Sequence, residues 1–206
     1  MLKGLDEQIA SIYAPIRDGL RQGEDKLRGL AQTERPYLEP LLEYVMTNGG
    51  KRLRPAITLL AADFYEHQPE NPIVMAAAVE LLHVATLIHD DTVDNSSLRR
   101  GVATVSSLWG RDVAVLLGDY IFATAAAWAC DTNNIRVLRR FAETIKELSS
   151  GELMESYAAF NADYSYEQYK ERIYNKTASL FHTAAESGAV LSGIAEENIQ
   201  ALTEYG

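Results

Sequence analysis

Apolar residues recur at spacings of three and four along almost the whole chain, while β-branched alternation bounded by hairpin turns is nearly absent. This period predicts helices over residues 5–30, 37–47, 55–67, 72–94, 111–131, 134–160, 165–187 and 188–205. Residues 95–110 read as a polar loop with a short helical turn. Prolines punctuate the pattern. Pro36 and Pro40 sit near a helix start, Pro55 suits a first helical turn, and Pro69 and Pro72 bracket a loop. The helices over 72–94 and 111–131 are apolar on most sides and so belong in the middle of a bundle. A surrounding ring of amphipathic helices would complete a multi-helix, all-α bundle, with residues 1–206 as one domain. No repeat, linker or low-complexity tract interrupts it.

Composition sharpens this picture. At 47% hydrophobic residues the chain can bury a large core. Its 29 acidic against 19 basic residues give a net charge of −10, which speaks against nucleic acid and against an electrostatic grip on anionic lipid. A basic cluster in so acidic a chain is a local exception, best suited to a small anionic ligand. The single cysteine, Cys130, allows no internal disulfide and fits a cytoplasmic protein. No signal-peptide core is expected near the start, where Lys3, Asp6, Glu7, Arg17 and Asp18 lie. No transmembrane segment is expected either. Asp119 interrupts the apolar stretch 113–130, and Glu80 and His83 fall within 73–88, so both read as buried helices.

Three groups of residues carry candidate chemistry. The first is His89-Asp90-Asp91-Thr92-Val93-Asp94, at the end of an apolar helix. At about 100° per residue the three aspartates fall on one arc, at about 0°, 100° and 40°. Unpaired, they would repel one another and oppose the helix macrodipole. Oxygen-only ligands suit a hard ion such as Mg²⁺, which binds a few carboxylates together with substrate phosphates; spare acids on a solvated helix end are the plainer alternative. The second group is Gly49-Gly50-Lys51-Arg52-Leu53-Arg54-Pro55, two glycines and three cations ahead of a helix start. Such a segment is an anion site or an exposed basic turn. The third is Arg99-Arg100-Gly101, which could grip phosphate from two sides or neutralise the aspartates directly. His83 lies about 20° from Asp90 on the wheel and roughly 10 Å deeper; alone, it reads as a satisfied core histidine. Lys176-Thr177 sits in a helix where a lysine could snorkel to solvent or reach a ligand. Together, acids for Mg²⁺ and three groups of cations in an apolar bundle imply a diphosphate ligand with a hydrocarbon body.

The blocks 49–55, Glu80-Leu81-Leu82-His83, 90–101 and Lys176-Thr177-Ala178, with Gly118-Asp119-Tyr120 and Gly151-Glu152-Leu153, resemble the trans-isoprenyl diphosphate synthases, or polyprenyl synthetases. The likeness runs from about Tyr37 to Gly206. It implies that Asp90, Asp91 and Asp94 form the first Asp-rich motif and hold Mg²⁺ on an allylic diphosphate. Arg99, Lys176 and Thr177 would contact that diphosphate, while Lys51, Arg54, His83 and Arg100 would hold isopentenyl diphosphate. Asp90, Asp91, Asp94, Arg99 and Lys176 are thus the expected catalytic set. The reaction implied is ionisation of the allylic diphosphate, attack by the alkene and loss of a proton. The resemblance also implies a homodimer, and the all-round apolar character of residues 113–130 makes that stretch the candidate dimer helix. Ala85 and Thr86, the fifth and fourth positions before the first aspartate, are small where short-chain relatives carry aromatics, which implies a medium- or long-chain product. Two departures stand out. No second Asp-rich motif follows Lys176, so the chain reads as an amino-terminal portion with its carboxy-terminal part missing. Glu155 stands where many relatives carry glutamine. The alternatives are a non-catalytic, diphosphate-binding or regulatory subunit of a heteromeric synthase, or an inactive truncated fragment.

Overall fold

The computed structural model describes residues 10–47, 50–65, 69–159 and 163–206. Ten α-helices account for most of them: α1 (Arg17–Gly29), α2 (Glu39–Thr47), α3 (Leu53–Ala62), α4 (Glu70–Val93), α5 (Val105–Trp109), α6 (Arg111–Asp131), α7 (Ile135–Ala158), α8 (Tyr166–Ile173), α9 (Ser179–Ser192) and α10 (Glu196–Tyr205). A single π turn, Tyr174–Ala178, joins α8 to α9, and a two-stranded ribbon, β1 (Leu98–Arg99) and β2 (Val102–Ala103), follows α4. The fold is the all-α bundle that the pattern implies.

The core forms around α4, which buries residues on nearly every side, including Met75, Val79, Leu81, Leu82 and Ala85. Helices α1, α3, α6 and α9 pack around it. The second apolar helix behaves differently. One stripe of α6 (Ala114, Leu117, Gly118, Ile121, Ala125 and Ala129) is buried, at spacings of three and four. Its other side is open, with Leu116 67% exposed. The expectation that both apolar helices lie in the middle of the bundle therefore holds for α4 alone. Both are long and apolar enough, by length and hydropathy, to cross a membrane; 67% of the α4 window is buried, against 33% for α6.

Small residues set how closely these helices approach. A Cβ on Gly118 would lie 2.2 Å from the His89 ring, and one on Gly188 of α9 would lie 2.0 Å from the Thr58 carbonyl of α3. The α3–α9 seam thus closes onto bare backbone.

The structure departs from the predicted boundaries in several places: the helix predicted over 55–67 ends at Ala62 and that over 165–187 is interrupted by the π turn, and three further departures have a local reason. The helix expected over 5–30 begins outside the described residues and is broken at Ala14–Ile16, where Pro15 has no N–H to continue the ladder. The break expected at 187/188 is absent. Gly188 continues α9 at a close contact, and Gly193, at φ 73°, ends it in the left-handed conformation that glycine adopts freely. The loop over 95–110 contains the ribbon, whose two-residue turn, Arg100 (φ 53°) and Gly101 (φ 81°), has the double positive φ of a type I′ hairpin.

Gly188→Ala is expected to lower the unfolding free energy by about 1–3 kcal/mol through overpacking against Thr58. Gly23→Ala, where a Cβ meets nothing within 4 Å, should leave it unchanged or raise it by up to ~1 kcal/mol. Urea unfolding of the two variants checks this; equal losses would contradict the packing described.

Candidate functional site

The last turn of α4 carries Asp90, Asp91 and Asp94. Asp91 is buried, Asp90 half-buried and Asp94 exposed at the helix C-cap. The ribbon folds back over this turn. It is fixed there by Thr104, whose hydroxyl donates to the Ser96 carbonyl at 2.7 Å and caps α5, and by Tyr44 of α2, whose hydroxyl donates to the Ala103 carbonyl at 2.5 Å. Arg99 on β1 thereby reaches the aspartates. Its Nε donates to both Asp91 carboxylate oxygens, at 2.9 and 2.8 Å, and an Nη donates to Asp90 at 2.8 Å. Of the two roles open to Arg99 from sequence, the structure displays direct neutralisation. Asp94 stands outside the cluster, because α4 ends at it and its side chain faces solvent.

On the opposite side Lys176 approaches from the π turn. Its Nζ lies 3.5 Å from the second Asp90 oxygen and 3.0 Å from Glu152, and it is hydrogen-bonded to Glu155. Burial alone would lower its pKa, but the bonds to Glu155 and Glu152, with the charge of Asp90, hold the ammonium above its usual range. The lysine therefore does not snorkel. Glu152 and Glu155 escaped the sequence reading as site residues; the Gly151-Glu152-Leu153 block and the unusual acid at 155 were the available signals. Gly151 has a visible role, since a Cβ there would lie 2.8 Å from the Lys176 backbone nitrogen. Thr177 is exposed in the same π turn, a kind of irregularity frequent at functional sites.

Beside this cluster opens a cleft of about 800 Å³. Lys51, Arg54, His83, Asp91, Arg99 and Arg100 are among its lining residues. Gly49 lies outside the described residues. Arg52 has a separate duty. At φ 54° it precedes α3, and its guanidinium bonds Glu24 of α1 at 2.8 Å and Glu80 of α4 at 2.7 Å. Glu80 is 3% exposed, and a carboxylate so buried needs a paired cation. Arg52 and Arg99 are thus neutralised, whereas Lys51, Arg54 and Arg100 make no ion pair among the described residues. Arg54 stacks over the Phe181 ring at 4.4 Å, its buried Nε has no hydrogen-bond partner, and burial lowers its pKa. Gly50 leaves room for Arg100, whose guanidinium would lie 3.4 Å from a Cβ there. Burial, with Arg54, Arg100, Arg99 and Arg52 around it, holds the His83 imidazole down at about 3, so it is neutral near pH 7. His83 is therefore part of the cleft wall and not merely a core histidine.

A hard cation fits the aspartate cluster by donor type and by one buried oxygen: Asp90 Oδ1 accepts no hydrogen bond and faces only the Lys176 ammonium at 3.5 Å. Among the described residues no three metal-ligating side chains converge into a ready cage. Ala85 is fully buried in the core and Thr86 is half-buried, its hydroxyl donating to the His83 carbonyl at 2.8 Å. Neither lines the cleft.

Comparison with known proteins follows the same lines. The family model described as polyprenyl synthetase matches residues 35–206. A protein from Synechocystis named prenyl transferase is 37% identical over 199 residues, covering 95% of this chain and 62% of that protein. The crystal structure of a decaprenyl diphosphate synthase from Rhodobacter capsulatus superposes with a TM-score of 0.90 at 35% identity, covering 95% of this chain and 60% of the other. That of a polyprenyl synthase from Caulobacter crescentus, complexed with calcium and isoprenyl diphosphate, gives 0.84 at 35% identity, covering 96% and 58%. The chain thus spans less than two thirds of the length of these relatives.

His83 should remain neutral from about pH 8 down to pH 5, read by its ring nitrogen shifts in NMR. Its folded pKa lies below the unfolded value, so the unfolded ring takes up a proton that the folded one refuses. This group therefore costs the fold stability as pH falls from about 6.5 towards 3. In His83→Gln that part of the acid slope should vanish; a ring that titrates near 6.5 would contradict the geometry.

Proposed function

The chain belongs to the polyprenyl synthetase family, and on that premise we propose that it acts as a trans-prenyltransferase, joining isopentenyl diphosphate head to tail to an allylic diphosphate. The observation that carries this reading is the cationic cleft, where Lys51, Arg54 and Arg100 make no ion pair among the described residues and His83 is neutral, set against the carboxylate of Asp91, which Arg99 ties to Asp90. Its cations would hold the diphosphate of isopentenyl diphosphate and orient its alkene. Arg99, Lys176 and Thr177 would hold the allylic diphosphate. The allylic C–O bond then breaks, its electrons leaving with the diphosphate. The alkene forms the new carbon–carbon bond, and a proton is lost from the resulting cation. Arg99 and Lys176 would stabilise the departing charge, and the packed helices would keep water from the carbocation. Asp90, Asp91 and Asp94 would hold Mg²⁺, which when bound supplies Lewis-acid stabilisation of the leaving diphosphate. The calcium and isoprenyl diphosphate named for the Caulobacter crescentus relative are compatible with that chemistry.

We read the product as longer than fifteen carbons on the resemblance, which makes the small residues Ala85 and Thr86 the chain-length positions; neither lines the cleft, so a growing chain would have to pass deeper along α4 to meet them. We also read the open side of α6, around Val115 and Leu116, as the face of a homodimer; light scattering on the intact protein is expected to give twice the chain mass, and a clean monomer would contradict this. The reading as an enzyme is tested by incubation with isopentenyl diphosphate, farnesyl diphosphate and Mg²⁺, with products read by mass spectrometry. Products beyond C20 are expected, and chelation should abolish them. Ala85→Phe/Thr86→Phe should shorten them. An unchanged product from that variant would sink the chain-length reading, and a protein that binds neither diphosphate would sink the functional one.

A further inference from the structure

Lys176 has more negative charge around it than one ammonium can neutralise. Glu152 and Glu155 lie three residues apart on α7, which sets both carboxylates on one face of that helix. The absent side chain of Gly151 lets the π turn settle against that face. Asp90 closes the third side from α4. One cation is therefore shared by three carboxylates, which leaves about two excess negative charges at the spot where, on the reading above, an allylic diphosphate must bind. The half-buried setting keeps these charges from being fully screened. Asp90 has a second cation in Arg99, and burial already raises the pKa of Glu152, with Lys176 opposing the rise. Glu155 is hydrogen-bonded to the Lys176 ammonium and, unlike Asp90, has no other cation beside it among the described residues.

We propose that Glu155 is a specificity-determining residue of this site, an anionic competitor that holds the Lys176 ammonium away from an incoming diphosphate and so weakens allylic diphosphate binding without touching the isopentenyl diphosphate cleft. This inference rests on the assignment of Lys176 to the allylic diphosphate. Glutamine at this position would keep the shape and one hydrogen-bond acceptor while removing the competing charge. Weak allylic binding would also favour release of a lengthened chain, because each product is itself an allylic diphosphate.

The test is calorimetric binding of farnesyl diphosphate and, separately, isopentenyl diphosphate to the intact protein without divalent metal at fixed ionic strength. The parent, Glu155→Gln, Lys176→Met and the double variant are compared, with circular dichroism confirming that each is folded. Removing one unit charge at this range is expected to tighten farnesyl diphosphate binding about tenfold in Glu155→Gln. Isopentenyl diphosphate affinity should stay unchanged, and the gain should disappear in the Lys176→Met background. If Lys176→Met weakens farnesyl diphosphate binding but Glu155→Gln leaves it unchanged or weaker, the role of Glu155 is overturned while the assignment of Lys176 stands. If Lys176→Met has no effect, that assignment fails and takes the proposal with it. A gain that persists without Lys176, or that extends to isopentenyl diphosphate, is general relief of repulsion and also overturns the proposal.

Discussion

Asp90 and Asp91 stand at the C-terminal end of α4, where the helix macrodipole is already negative and burial raises the cost of each charge. Two carboxylates cannot persist there alone, and the surrounding architecture supplies their compensation. The type I′ turn at Arg100 and Gly101 bends the ribbon so that Arg99 reaches both acids. The bare Cα of Gly151 lets the π turn approach α7, and Lys176 then reaches Asp90 from the other side. Arg99 meets both aspartates, while Lys176 is shared between Asp90 and the two glutamates of α7.

The same accounting of charge separates the basic residues of the cleft into two kinds. Arg52 satisfies the buried Glu80 and ties α1 to α4 through Glu24. Its neighbours Lys51 and Arg54, joined by Arg100 from the ribbon, remain without carboxylate partners among the described residues. Neutral His83 adds hydrogen-bonding capacity without charge. Asp91 faces this cleft and also bonds Arg99, so it links the cationic cleft to the acidic cluster. On the proposed function such a site would take two anions side by side, one on the cations that make no ion pair and the other on Arg99 and Lys176, which would first have to release their carboxylates.

Much of this was legible in the sequence, and the parts that were not have identifiable causes. The helical period gave α4, α6 and α7 nearly to the residue, because their apolar positions are long and unbroken. It misplaced the end of α9, since Gly188 looks like a terminator when the close approach of Thr58 is unseen. Hydrophobicity alone overstated the burial of α6, whose apolar residues outnumber those that α4 can cover. The charged blocks at 49–55, 90–94 and 99–101 pointed to the site because like charges so near one another need an explanation. The partners of Arg52 and Lys176 were hidden: Glu24, Glu80, Glu152 and Glu155 lie 21, 24 or 28 residues from the cations they meet. Only the packing of α1, α4 and α7 brings them in.

On the proposed function, Lys51, Arg54, His83 and Arg100 hold one diphosphate, distinct from and adjacent to the one at Arg99 and Lys176. The most direct test is a crystal structure of the protein with a thiodiphosphate analogue of isopentenyl diphosphate, its sulfur located by anomalous scattering. The sulfur-bearing diphosphate is expected in the cleft between Gly50 and the ribbon, within hydrogen-bonding reach of Arg54 and Arg100. Density for it at Lys176 instead, with the cleft filled only by water, would contradict this division of the site.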